Sequence, residues 1–383
     1  MTSSNPDMAP AQRLLSIDAL RGIVTLIMLL DHVREYFYLH KQVGDPMLIE
    51  GVEPALFFAR LAAHLCPSVF IFLAGVAAYL YAQRYHLDRL ALSTYLCKRG
   101  LLLIGLEISV INFAWTFSFS PGKLYLQVIW AIGISMIALA VLIWLRRDVL
   151  LGLAVTICVG HNLLAPIQFT ADEWGYIPWA ILHDRSWIQL SDSLAIRTSY
   201  PVLPWIGLIT LGYLSGTWMQ SVKPWSNESQ TLLCTGIAGL LLFCGLRYGN
   251  YYGEFHPWVL GNTPLQSVMS FLNITKYPPS LHYLLLTGSV GCLLYVALRA
   301  IECKQPSYLH PLATFGRAPM FFYVLHLCVL QALYQLTLAV FGNTVGERFG
   351  FPSYTYNVYL ALALVIPLYW CCQGFLVYKQ RQR

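Results

Sequence analysis

The stretch DALRGIVTLIMLLDHVREYFY, Asp18 to Tyr38, sets two demands that pull against each other. It is 21 residues long with an apolar run from Ile23 to Leu30, about the length that crosses a bilayer core. It also holds four ionisable residues in five positions, Asp31, His32, Arg34 and Glu35. Each charge placed near the middle of a spanning helix costs about 2.5–3.5 kcal/mol on insertion scales, so such groups persist where they face a wet cavity or do chemistry. The segment therefore reads as a membrane helix with one face turned away from lipid.

Composition extends that reading to the whole chain. The 383 residues are 57% hydrophobic and 11% charged, against roughly 25% charged in soluble domains. Apolar stretches of crossing length fall at roughly 18–38, 57–83, 98–117, 123–145, 149–165, 201–220, 230–248, 280–301, 309–341 and 355–377. The expected fold is all-α: one polytopic bundle of about ten spans covering residues 1–383, with 1–12 as a disordered tail. The first thirteen residues carry no apolar core ending in a small-residue site, so no cleaved leader is expected. With the N-terminus inside, the cytoplasmic side receives 15 of the 24 lysines and arginines, which predicts N-in and C-in in a cell (inner) membrane.

On a helical wheel Asp18, Arg21, Thr25, His32 and Glu35 share a sector about 100° wide, with Asp31 and Arg34 outside it. Arg21 and His32 are separated by about 16 Å along the axis. Histidine can take a proton from a hydroxyl or amine and return it within one cycle. Asp31 or Glu35 would orient the ring, and Arg34 would steady a developing oxyanion. His326 lies inside the ninth stretch, three residues after Tyr323 on the same face, and Pro319 is expected to kink that helix. Glu107, mid-way along the third stretch, fits ion pairing and substrate contact equally.

Nothing in the sequence has the spacing of a P-loop, a nucleophile elbow, a zinc-protease helix or a dinucleotide loop, so no metal is expected. The ten cysteines form no metal or disulfide framework and read as small core residues. Tryptophans 174, 179, 187 and 258 lie in the long loops 166–200 and 249–279, where they serve as interfacial anchors or as a carbohydrate platform. A proton-coupled transporter would also use buried Asp, Glu, His and Arg, and a haem or quinone protein could use His32 and His326.

Four strings narrow the choice: RLLSIDALRG from Arg13 followed by His32, YPVLPWIGLITLGYLSG at 200–216, KYPPSLHYLLLT at 276–287 and FGRAPMFFYVLHL at 315–327. In this order they resemble the bacterial relatives of heparan-alpha-glucosaminide N-acetyltransferase, within the integral-membrane acyltransferase superfamily. The resemblance implies a bundle of ten or eleven helices, acetyl-CoA held from the cytoplasmic side, and transfer to an amino sugar or other glycan on the far side. It implies a catalytic histidine, as base or acyl carrier, in or just beyond the first helix, which maps onto His32 with His40 as the neighbouring candidate. Arg21, Asp18, Arg99, Arg317 and Arg84 are the expected coenzyme A contacts. The bilayer is the expected environment, with no nucleic acid and a homodimer left open.

Overall fold

The structure, a computed structural model, describes residues 14–41, 47, 49–220 and 227–382; the tail expected over 1–12 lies outside the described residues. Helix α1 runs Leu15–Phe37. Its first turn lacks a side-chain cap of its own, and the orphan N–H groups of Leu15 and Ser16 donate instead to the Glu302 carboxylate at 2.9 and 3.0 Å. An acidic group at a helix N-terminus meets both the unpaired donors and the positive end of the dipole. Arg299 holds Glu302 in place at 2.6 Å.

Helices α2 (Pro54–Ala63) and α3 (Leu65–Arg84) follow as one nearly continuous rod turned at His64. Then come α4 (Arg89–Leu106), a π-turn over Glu107–Ile111 and the short α5 (Asn112–Thr116). The stretch at 123–145 is not one helix. Its first residues form β1 (Lys123–Leu126), and only then does α6 (Val128–Leu142) begin. After α7 (Arg147–Gly160) and α8 (Tyr176–Leu182), strands β2 (Trp187–Ser191) and β3 (Leu194–Thr198) complete a three-stranded sheet. The order is β1-β3-β2, with β1 parallel and β2 antiparallel to β3. The all-α expectation gives way here to a mostly helical fold with a small sheet.

The second half holds α9 (Leu203–Ser215), α10 (Asn227–Gly249), α11 (Pro264–Leu272) and α12 (Leu281–Lys304). The ninth stretch, read as one kinked span, is two helices: α13 (His310–Arg317) and α14 (Pro319–Phe341). Proline has no N–H to give and its fixed φ suits a first helical position, so Pro319 starts a helix rather than bending one. Helix α15 (Tyr354–Arg381) closes the chain.

Among the described residues, six helices are long and apolar enough to cross a membrane: Pro54–Arg84, Arg147–Leu164, Ser229–Gly249, Leu281–Lys304, Pro319–Phe341 and Tyr354–Arg381. The apolar α6 and α9 are shorter. The loop between α10 and α11 is built around Arg247, whose buried guanidinium donates to the carbonyls of His256, Ser270, Phe271 and Asn273 at 2.7–3.0 Å.

Helix α1 is the centre of the bundle and crosses α13 without side chains between the backbones. A Cβ on Gly22 would stand 1.9 Å from the Leu312 carbonyl oxygen, and one on Gly316 would stand 1.8 Å from that of Asp18. Small residues let membrane helices approach this closely. Gly316→Val is therefore expected to cost at least the roughly 1–3 kcal/mol of an overpacked core, read as a lower melting temperature in detergent. Gly374→Ala, where an added Cβ meets nothing within 4 Å, should leave it unchanged.

Candidate functional site

The polar face of α1 points into the protein. Asp18 and Thr25 are buried, and the Thr25 hydroxyl donates back to the Arg21 carbonyl at 2.7 Å. One turn short of the helix end, His32 Nδ1 lies 2.7 Å from Nε2 of His326 on α14. The rings are only 10° apart in tilt with centroids 5.0 Å apart, so they meet edge to edge, as a linear N–H···N bond requires.

The direction of that bond follows from a third group. His326 Nδ1 is 2.7 Å from the Phe322 carbonyl oxygen, which can only accept. His326 must therefore carry its proton on Nδ1 and, as a neutral ring, offer Nε2 as an acceptor. His32 then donates from Nδ1, and its Nε2 is left with a bare lone pair. His326 is fully buried while His32 is partly accessible. The Trp115 indole and the Tyr323 phenol pack edge-on to His32 at 5.1 and 5.9 Å, and Trp115 Nε1 is buried.

Asp31, Arg34 and Glu35 make a separate cluster. Asp31 takes Arg34 Nε at 3.2 Å on one oxygen and Arg60 Nη1 at 2.6 Å on the other; Arg34 also pairs with Glu35, and Arg60 lies 4.0 Å from it. Two carboxylates thus face two guanidiniums. The ring partner of His32 is His326, the Asp31 oxygens are held by arginines, and Arg34 is bound to two acids. Arg60, on α2, was missed by sequence reasoning, although its place between Phe57 and Leu65 in an apolar helix carried the same signal that marked Asp31.

Toward the other end of α1 lies a cavity of about 320 Å³. Arg21, Arg99 and Arg317 line its cationic part, α3 and α6 give it apolar walls, and Met28 and Tyr323 line it below the His32 ring. Asp18 holds two of these cations, Arg21 at 3.3 Å and Arg317 at 3.4 Å. Arg99 donates to the Tyr95 hydroxyl at 3.3 Å. Arg84 is not among the lining residues and its guanidinium stands 5.7 Å over the Tyr85 ring. His40, in a 3-10 turn beyond α1, is exposed and packs on Tyr38. Glu107 is fully buried in the π-turn and accepts from the Trp130 N–H at 3.0 Å, closing the open start of α6.

A second cationic group, also unread in the sequence, gathers around the sheet and the loop before α12. Arg185 lies 4.5 Å over the Tyr277 ring, Lys276 lies 5.1 and 5.8 Å from the Tyr277 and Tyr200 rings, and Arg197 and Lys123 flank Trp187. The Tyr277 hydroxyl donates to that of Tyr200 at 3.2 Å. Burial alone would raise the Tyr277 phenol, but Lys276, Arg60 and Arg185 outweigh it and hold the group below its ordinary value.

Removing Arg60 leaves the two carboxylates, Asp31 and Glu35, facing Arg34 alone. Arg60→Met is expected to destabilise by about 3–5 kcal/mol, and the Arg60→Met/Asp31→Asn pair should recover part of that loss in a detergent melt.

No curated protein matches the chain significantly. Residues 13–248 match the sequence model of the heparan-alpha-glucosaminide N-acetyltransferase catalytic domain. That match takes in α1 with His32, the cavity walls on α3, α4 and α6, and the whole sheet, while His326 lies beyond it. With more than half of its length matched, the chain belongs to the heparan-alpha-glucosaminide N-acetyltransferase catalytic family.

Proposed function

We propose that the protein is an integral-membrane acyltransferase that moves an acetyl group from acetyl-CoA to an amine or hydroxyl of an amino sugar or other glycan across the bilayer. One observation carries this reading. A single face of α1 joins a cationic cavity mouth at Arg21 to the bare nitrogen of His32, about 16 Å away along the axis.

Arg21, Arg99 and Arg317 suit the diphosphate and ribose phosphate of coenzyme A, since guanidiniums bind phosphate oxygens in paired hydrogen bonds. The pantetheine arm follows the apolar walls, and the thioester arrives beneath His32 at Met28 and Tyr323. An acceptor nitrogen or oxygen attacks the carbonyl carbon while His32 Nε2 takes its proton. The carbonyl π pair moves onto oxygen, where the Tyr323 hydroxyl and the Trp115 N–H stand as donors. Collapse breaks the C–S bond, and the coenzyme A thiolate leaves with the proton that His32 returns. On the opposite side, Tyr277, Trp187 and the cations over their rings form an aromatic wall suited to a sugar ring.

Ten crossings complete the arrangement: the six apolar helices together with α1, α4, α6 and α9, whose charges or short length keep them outside that class. Both termini then lie on the cytoplasmic side of a cell membrane. A reporter fused after Arg383 should read cytoplasmic; an external signal would remove the ten-span topology.

Purified protein in detergent, where no gradient exists, should release coenzyme A from acetyl-CoA in the presence of an amino-sugar panel. A transporter would not. His32→Ala should abolish release while the protein stays folded and monodisperse. His326→Ala should lower kcat by about 10²-fold or more, because the His32 Nδ1–H loses its acceptor. Tyr323→Phe should lower kcat by about 10²–10³-fold with affinity for acetyl-CoA retained. Full turnover by His32→Ala would remove this assignment of the base.

A further inference from the structure

A second cavity, of about 350 Å³, lies on the far side of α3 from the donor cavity, with Leu73 in the wall of both. Its walls are α3, α7, α9, α10 and α12, and four of these, α3 (within Pro54–Arg84), α7, α10 and α12, are among the helices apolar enough to cross a membrane. Along α12 the lining residues Leu281, Leu284, Gly288, Cys292 and Tyr295 fall on one stripe, about 21 Å long at 1.5 Å per residue. That exceeds the roughly 15 Å of hydrocarbon in one leaflet, half of a 30 Å core.

The groove has an open side and a smooth floor. Helix α7 packs against α9, and α10 against α12, while the α7 stripe Leu151, Val155 and Val159 remains 43–49% exposed at the mouth. A Cβ built on Gly288 meets nothing within 4 Å, so the floor stands empty at its middle.

Four hydroxyls in the wall, those of Ser68, Thr287, Ser215 and Thr235, are bound to the protein. Thr287 donates within hydrogen-bond reach of both Ser68 Oγ (2.8 Å) and the Tyr283 carbonyl (2.6 Å), and Ser215 and Thr235 donate to the carbonyls four residues before them. Such a wall rewards hydrocarbon and gives water few partners. One end differs. Arg147 is held there by the Leu214 carbonyl at 3.2 Å and the Thr217 hydroxyl at 3.1 Å, next to the lining residues Leu214, Ser215 and Trp218. Trp218 is 41% exposed, the amphipathic position such rings take at headgroup depth.

We propose that this groove is a specific site for one bilayer glycerophospholipid, with an acyl chain laid along α12 over Gly288 and its phosphate against Arg147. The two ends of the groove match the two parts of that molecule: an apolar furrow of chain length, then a fixed guanidinium beside an indole. The bound chain completes the packing behind α3 and so supports the wall of the donor cavity from the side facing lipid.

Native mass spectrometry of detergent-purified protein tests the site, with the lipid identified by fragmentation. The wild-type chain should carry one phospholipid adduct that survives gentle activation. Gly288→Phe, which fills the open floor, should lose it, and Arg147→Gln should lower occupancy at least several-fold. Val155→Trp, which narrows the mouth from α7, gives an independent block if Gly288→Phe does not fold. Loss of the adduct with a native elution profile supports the site. A wild-type chain without the adduct, or blocked variants that keep it undiminished, overturns it. The readout is lipid mass, so it stands or falls separately from acetyl transfer.

Discussion

Everything in this fold is arranged around the cost of keeping charge inside a bilayer-length helix. Each ionised group on α1 would cost about 2.5–3.5 kcal/mol in hydrocarbon, and α1 carries several. They are met by partners from different parts of the chain. Glu302 of α12 closes the first turn, Arg317 of α13 meets Asp18, Arg60 of α2 meets Asp31, and His326 of α14 meets His32. A helix that could not stand alone in lipid thereby becomes the element against which the others are placed. The backbone contact at Gly22 and Gly316 follows from the same demand, because Arg317 reaches Asp18 only if α13 comes close.

This arrangement separates the two ends of α1 chemically. Near its start the cations exceed the acids: Asp18 is shared by Arg21 and Arg317, and Arg99 adds a third positive group around the same cavity. Near its end two carboxylates, Asp31 and Glu35, pair with Arg34 and Arg60. The excess of cations draws a polyanion to the first region. His32 stands at the level of the second region, with its ring turned toward His326 of α14.

How much of this could be read from the sequence depended on whether a residue announced its own cost. His32, Asp31, Arg21 and His326 stood out because each sits within an apolar stretch, and α1 turns its polar face inward as the wheel implied. Pro319 marked a discontinuity, but whether a proline kinks a helix or starts a new one depends on tertiary packing, here of α13 against α1. The partnerships were not legible. Nothing local says that Arg60 answers Asp31 or that Glu302 caps a helix 286 residues earlier, because these are contacts between distant segments. The sheet was missed for a related reason. Its first strand is four residues long and runs straight into α6, so an apolar window absorbs it.

The choice of partner for His32 has a consequence for the chemistry. In a serine-protease-type triad a carboxylate orients the histidine and stabilises its charged form. Here the orienting group is a neutral imidazole, itself fixed by a backbone carbonyl, so the resting pair brings no net charge into the bilayer interior. A carboxylate at position 326 would add a third buried anion near Asp31 and Glu35, which already engage Arg34 and Arg60. The imidazole fixes the same tautomer without that cost, and a proton arriving at His32 Nε2 can be shared along the His32–His326 bond. For the proposed thioester site, which would have to stay closed to lipid yet open to its donor, a neutral orienter meets both conditions.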